Sequence, residues 1–176
     1  MKRREAIAGL GALGVLGAGG AVAFGNTGLL GDSEGDRIEP VDLPRIDAPG
    51  SPPGTETVPE EGRVTYLTMF ATWCTICQAK MEPLGEVAAT VDDTVQFVSV
   101  TNEPVGQTVD REDVVEWWVE HDGAWPVAHD EGLELSRRVD APGVPYSVVF
   151  DADNRVTWSD GGYKEADEIL DHIDEA

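Results

Sequence analysis

The chain has two cysteines, standing as Trp73-Cys74-Thr75-Ile76-Cys77. At this spacing, at the start of a helix, two thiols lie on adjacent turns and can cycle between dithiol and disulfide without unfolding the chain. A thiolate at a helix N-terminus faces unpaired backbone N–H groups and the positive end of the helix dipole, which lowers its pKa below the free value of about 8.5. Cys74, exposed at the helix start, is the candidate nucleophile. Cys77, one turn further in, is the candidate resolving thiol that would release a mixed disulfide from Cys74. A structural disulfide is a second reading, but so small a loop would constrain the unfolded chain little. A zinc site needs four ligands, and His121, His129 and His172 are scattered without paired spacing. No resident metal or other cofactor is signalled. Soft thiolates leave open a Cu(I)-binding metallochaperone module that uses the same cysteines with a His or Met.

The segments around this pair are those that would position it. Residues 63–70 (RVTYLTMF) are rich in β-branched and aromatic side chains and run straight into the cysteine segment, as a buried strand leading to a site does. After it, Cys77, Met81, Leu84 and Ala88 fall at i, i+4, i+7 and i+11, one apolar stripe on a helix that Pro83 should kink. Residues 94–101 read as a second strand with Val95, Phe97 and Val100 inward. Asp110 with Asp113 caps a crossover helix carrying Val114, Trp117, Trp118 and His121 on one face. Residues 125–128 read as a short strand, 131–139 as a short helix, and 146–150 with 155–159 as a hairpin turning at Asp151-Ala152-Asp153-Asn154. A last helix, 164–175, turns Ile169, Leu170 and Ile173 inward. His129, near a strand end, reads as solvated.

Ahead of these elements lie two segments of different character. Residues 1–25 carry Lys2, Arg3 and Arg4 before an uncharged apolar stretch from Ala6 to Phe24, and read as a twin-arginine-type export signal or a membrane anchor. Ala21-Val22-Ala23 offers a cleavage site. Residues 26–57 form an acidic linker rich in Pro and Gly, although pieces such as Val41-Asp42-Leu43 could pair as a small edge hairpin. The folded domain is expected over 58–176. The implied location is outside the cytoplasmic membrane, with membrane contact only through the N-terminal segment.

Thirty-four acidic residues against twelve basic ones give a net charge of −22, which repels phosphate backbones and anionic surfaces and argues against nucleic-acid binding. Spread along the chain as it is, this acidity resembles that of proteins from salt-loving organisms, in which concentrated salt screens the self-repulsion.

The sequence TMFATWCTIC, the later GVPYSVVFD with Pro145, and the turn DADNRV together resemble the thioredoxin-like superfamily. The insertion VDREDVVEWWVEHDGAWPVAHD is similar to that of the TlpA/ResA-type branch of exported thiol-disulfide oxidoreductases. The resemblance implies an α/β thioredoxin fold, a central mixed β-sheet flanked by helices. It also implies a cis Pro145 beside the disulfide, with the backbone of Val144 free to pair with an extended substrate. Trp73 would add contact surface for the partner. The implied partners are protein thiols or disulfides, among them an apocytochrome or a membrane reductant.

Several positions depart from the pattern. Thr68 stands where ordinary thioredoxins have a buried carboxylate, so that relay is absent. Pro83 follows Cys77 by six residues instead of five, which unsettles Glu82 as a helix carboxylate that could shuttle protons. Tyr146 stands where Thr often follows the cis proline. Thr75-Ile76 has neither the Pro of reducing members nor the His of strongly oxidising ones. A peroxidase of this superfamily needs a threonine three residues before the nucleophile, and Ala71 is there.

Overall fold

The computed structural model describes residues 37–176; the expected export segment and the first part of the linker lie outside them. Among the described residues no helix is long and apolar enough to cross a membrane.

Eleven elements follow in chain order: β1 (Val41–Pro44), β2 (Thr55–Val58), β3 (Val64–Phe70), α1 (Thr75–Thr90), β4 (Val95–Thr101), α2 (Arg111–Glu120), β5 (Val127–His129), α3 (Glu134–Arg138), β6 (Tyr146–Phe150), β7 (Val156–Gly161) and α4 (Ala166–Asp174). Five strands form one sheet in the order β5-β4-β3-β6-β7. β3, β4 and β5 run parallel, joined through α1 and α2, whereas β6 and β7 pair antiparallel. This is the expected thioredoxin-type mixed sheet flanked by helices. Parallel strands need a crossover and hairpin strands do not, so the cysteine helix is by topology the connection between the two central parallel strands.

The strand over 94–101 departs from simple inward alternation, because both of its faces are covered. Phe97 joins Tyr66, Phe70 and Val149 in a cluster with side chains of α1, α2 and α4. Val98 and Val100 join Leu67, Met69, Val148 and Phe150 in a second cluster, closed by Val41, Leu43 and Val58 of the hairpin and by Leu135 of α3. A parallel strand buried on two faces has no solvent side to mark with polar residues.

The hairpin foreseen around Val41-Asp42-Leu43 is present as β1 and β2, paired antiparallel. Its connecting loop also covers an edge of the main sheet. Ile46 N–H donates to Val127 O at 2.9 Å, and the Ser51 hydroxyl donates to Val127 O while accepting from Val127 N–H, each at 3.1 Å. Exposed edges invite pairing with other chains, and here β5 is sealed from within the same chain. Gly50 makes the approach possible: it has φ +73°, and a Cβ there would sit 2.0 Å from the Ala124 carbonyl carbon.

α1 continues as one helix through Pro83. α2 begins as expected, with the Asp113 carboxylate accepting the Asp110 N–H at 3.2 Å. The short α3 is organised by Asp130, whose carboxylate accepts the N–H groups of Glu134 and Ser136, both at 2.8 Å, and the Ser136 hydroxyl at 2.7 Å. On α4, Ile169 and Ile173 are buried and Leu170 is half-buried.

Candidate active site

β3 ends at Phe70, and four residues later Cys74 becomes the N-cap of α1, its sulfur accepting the Cys77 N–H at 3.1 Å. Cys74 and Cys77 are joined in a disulfide with Cα atoms 5.2 Å apart. The structure corrects one expectation. Cys74 is only 6% exposed, because it is drawn into the core cluster, with Val144 packed against that cluster; the open surface belongs to Trp73 (73%) and Ile76 (50%). Cys77 is buried as expected.

The loop between β3 and Cys74 is held by a residue that the sequence did not single out. Glu103 is buried, and its carboxylate accepts Thr72 N–H at 2.8 Å, the Thr72 hydroxyl at 2.9 Å and the Thr101 hydroxyl at 3.2 Å. The register explains the meeting. Phe70 lies opposite Thr101 in the parallel pair, so residues two beyond each strand end lie side by side. His129, read as solvated, is buried instead, with Nε2 at 2.9 Å from Glu103 O. Its strand is interior once the hairpin loop covers the β5 edge.

The Val144–Pro145 bond is cis, as the resemblance implied, and Pro145 is buried. Gly162 N–H donates to Pro145 O at 3.1 Å, tying this loop to the end of β7. Among the described residues no backbone hydrogen bond engages Val144. Tyr146, next along, is half-buried and donates its hydroxyl to Ser159 Oγ at 2.9 Å.

Beneath the pair, on the sheet face covered by α1, lies a polar cluster within the apolar interior. Lys80, 1% exposed, donates from Nζ to Ser147 Oγ at 2.5 Å. Ser147 Oγ also lies 2.9 Å from the Tyr66 hydroxyl and donates to Thr68 Oγ1 at 3.3 Å. Lys80 forms no ion pair among the described residues. Burial pushes its pKa from the usual 10.5 down to about 7; the nearby Lys164 adds to the fall, while Glu168 and Asp160 oppose it. Burial likewise raises the Tyr66 phenol well above its ordinary value. Glu82, the helix carboxylate weighed from the sequence, is exposed. Among the described residues, no three His, Cys, Asp or Glu side chains are grouped to hold a metal ion.

A family model described as Redoxin matches residues 33–173. The chain belongs to the redoxin family. Its fold is similar to that of StoA from Bacillus subtilis, at 16% identity and TM-score 0.66 over 77% of this chain and 96% of that one. It is similar to the exposed lipoprotein thioredoxin of Streptococcus pneumoniae, at 22% identity and TM-score 0.67 over 78% and 100% of the two chains. It is similar as well to a secreted disulfide oxidoreductase of Mycobacterium tuberculosis, at 18% identity and TM-score 0.63 over 77% and 96%. At these identities the likeness speaks to the fold. This redoxin is an oxidoreductase.

Of the residues singled out from the sequence, Cys74 and Cys77 lie in one buried cluster and Val144, about seventy positions on, packs against it; Trp73 adjoins Cys74 in the chain and Pro145 follows Val144. Sequence reasoning missed Glu103, Lys80 and Ser147. The signal for Glu103 was the parallel register, which no linear pattern carries. For Lys80 it was the helical spacing, three residues after Cys77, which puts both on neighbouring points of one face.

Proposed function

We propose that this redoxin is an extracytoplasmic thiol-disulfide oxidoreductase of the TlpA/ResA type that acts on protein thiols through Cys74 and Cys77. The observation that carries the reading is the disulfide at the N-cap of α1, with the exposed Trp73 and Ile76 beside it in the chain and Val144, whose backbone is unengaged among the described residues, packed against the same cluster. Trp73 and Ile76 offer apolar contact to an unfolded or extended partner, and Val144 offers main-chain pairing. Cys74 attacks and Cys77 resolves. A protein thiol or disulfide, such as that of an apocytochrome or a membrane reductant, fits this open surface. The apolar segment 1–25 supports export or anchoring, and two fold neighbours are described as an exposed lipoprotein and a secreted protein.

Trapping tests the assignment. Cys77→Ala should accumulate mixed disulfides with the natural partner, visible on non-reducing gels and lost with reductant, whereas Cys74→Ala should not. Equal trapping by both variants, or none by either, would count against these roles and favour Cu(I) binding. The net charge of −22 supports a salt-rich habitat. The denaturation midpoint should therefore rise between dilute and molar salt, and an unchanged midpoint removes that part of the reading.

A further inference from the structure

We propose that Lys80 is the internal proton acceptor and donor for Cys77, held by hydroxyl groups one helical turn below the disulfide. The inference rests on the assignment of Cys77 as the resolving thiol.

The geometry provides a base where the chemistry needs one. Cys77 and Lys80 are both buried on the core side of α1, three residues apart, a spacing that sets Cβ atoms about 5–6 Å from each other. A buried resolving thiol has no bulk water to take its proton. Of the four polar groups packed here, the hydroxyls of Tyr66, Thr68 and Ser147 are poor bases near neutral pH, which leaves the amine. Its hydrogen bond to Ser147, the one it makes among the described residues, aims Nζ at the β6 strand, two residues beyond Pro145. A structural lysine in such a place would be expected to carry a carboxylate partner, and this one has none among the described residues. An amine lowered toward neutrality by burial is suited to exchanging protons at physiological pH.

The step balances without a further reagent. Cys74 as thiolate attacks a partner disulfide, forming a mixed disulfide and releasing one partner sulfur as thiolate, which takes a proton from water. Cys77 S–H then passes its proton to the Lys80 amine, and the resulting thiolate displaces the partner's second sulfur from Cys74 Sγ. The Cys74–Cys77 bond forms, and the departing thiolate takes up the proton that Lys80 returns through solvent. The two cysteines are oxidised, and the partner disulfide is reduced to two thiols. In the opposite direction every transfer reverses.

Titratable groups that face the amine come from several elements: Tyr66 on β3, Asp160 on β7, Lys164 ahead of α4 and Glu168 on α4. They supply a test that a space-filling role would not pass. Reduced protein is mixed with glutathione disulfide, quenched in acid at intervals, and the glutathione adduct is mapped and timed by mass spectrometry. The adduct should sit on Cys74, and its decay should quicken as pH rises through about 7 and then level off. Lys80→Met should slow that decay at neutral pH by about a hundredfold and move its pH dependence toward that of a buried thiol. Glu168→Gln should shift the wild-type midpoint to lower pH and Lys164→Gln to higher pH, because one carboxylate favours the ammonium and the other cation opposes it. Glu168 is half-exposed, so Glu168→Gln keeps the test alive should Lys80→Met fold poorly; Lys164 is buried and donates to Gly161 O and Tyr163 O, so Lys164→Gln is read with its unfolding midpoint beside it. Decay that ignores Lys80→Met, or a midpoint that Glu168→Gln and Lys164→Gln fail to move in opposite directions, overturns the proposal. An adduct mapped to Cys77 would instead overturn the cysteine roles on which it rests.

Discussion

Glu103 and Lys80 are both buried side chains next to the cysteine segment, one beside the loop that enters it and one on the core side of the helix that leaves it. Glu103 is well partnered: its two oxygens accept three hydrogen bonds from Thr72 and Thr101. Lys80 has three possible donor hydrogens and, among the described residues, a single hydroxyl acceptor. A buried polar group with all its partners fixes geometry, whereas one with too few is unstable in its charged form and changes protonation easily. The first arrangement suits a latch on the Thr72-Trp73-Cys74 approach. The second suits a group whose task is to gain and lose a proton.

Removing the latch should have the largest effect. Glu103→Leu keeps most of the volume but strands the Thr72 N–H and the hydroxyls of Thr72 and Thr101, and should lower unfolding free energy by about 3 kcal/mol. Glu103→Gln keeps one acceptor oxygen and should cost about 1 kcal/mol. Chemical denaturation of both variants measures the gap. If Leu and Gln are equally mild, Glu103 is not a latch and the contrast with Lys80 collapses.

Lys80→Met should do the reverse and raise stability at neutral pH, because an apolar side chain of similar length replaces a desolvated amine that forms no ion pair among the described residues. The sign with pH follows from the depressed pKa. Below about pH 7 folded and unfolded chains both carry the proton, so the full penalty for burying the ammonium is present. Between about 7 and the ordinary value of 10.5 the unfolded chain binds more protons, so wild-type stability climbs with pH. The advantage of Lys80→Met should therefore shrink by about 2 kcal/mol between pH 7 and 9. Paired urea titrations at the two pH values show it, and a gap constant with pH would mean that Lys80 does not titrate in this range.

The two residues also mark where sequence reading stops. The strand before Cys74 and the stripe Cys77, Met81, Leu84 were legible because burial on one helix face leaves a periodic trace. The hairpin at Val41 and Leu43 was legible from its alternation, since its other face meets water. β4 was less so, with apolar residues on two faces. Lys80 extends the helix stripe, yet a lysine among apolar residues reads by type as solvated. It is buried because β3 and β6 bring Thr68 opposite Ser147 in register, a pairing across about eighty residues. The burial of His129, too, depends on a loop more than seventy residues earlier covering its strand.

Ser147→Ala gives the smallest effect and the finest discrimination. The hydroxyl is the amine's one acceptor among the described residues, so its loss should leave the ammonium less well held than the neutral amine. Tyr66 and Thr68 lose the same partner, but a neutral hydroxyl is less costly to strand than a charge. The destabilisation should therefore be about 1 kcal/mol near pH 6, where the amine is protonated, and smaller near pH 9, where it is neutral. Combining Ser147→Ala with Lys80→Met separates the contributions, because a cycle of two single variants and the double reports only what the pair share. The pH-dependent part should disappear in the Lys80→Met background while the pH-independent part, which belongs to Tyr66 and Thr68, persists. A Ser147→Ala penalty that stays equal at both pH values would place the hydroxyl with its sheet neighbours alone, and the polar cluster would then be a structural network like that of Glu103.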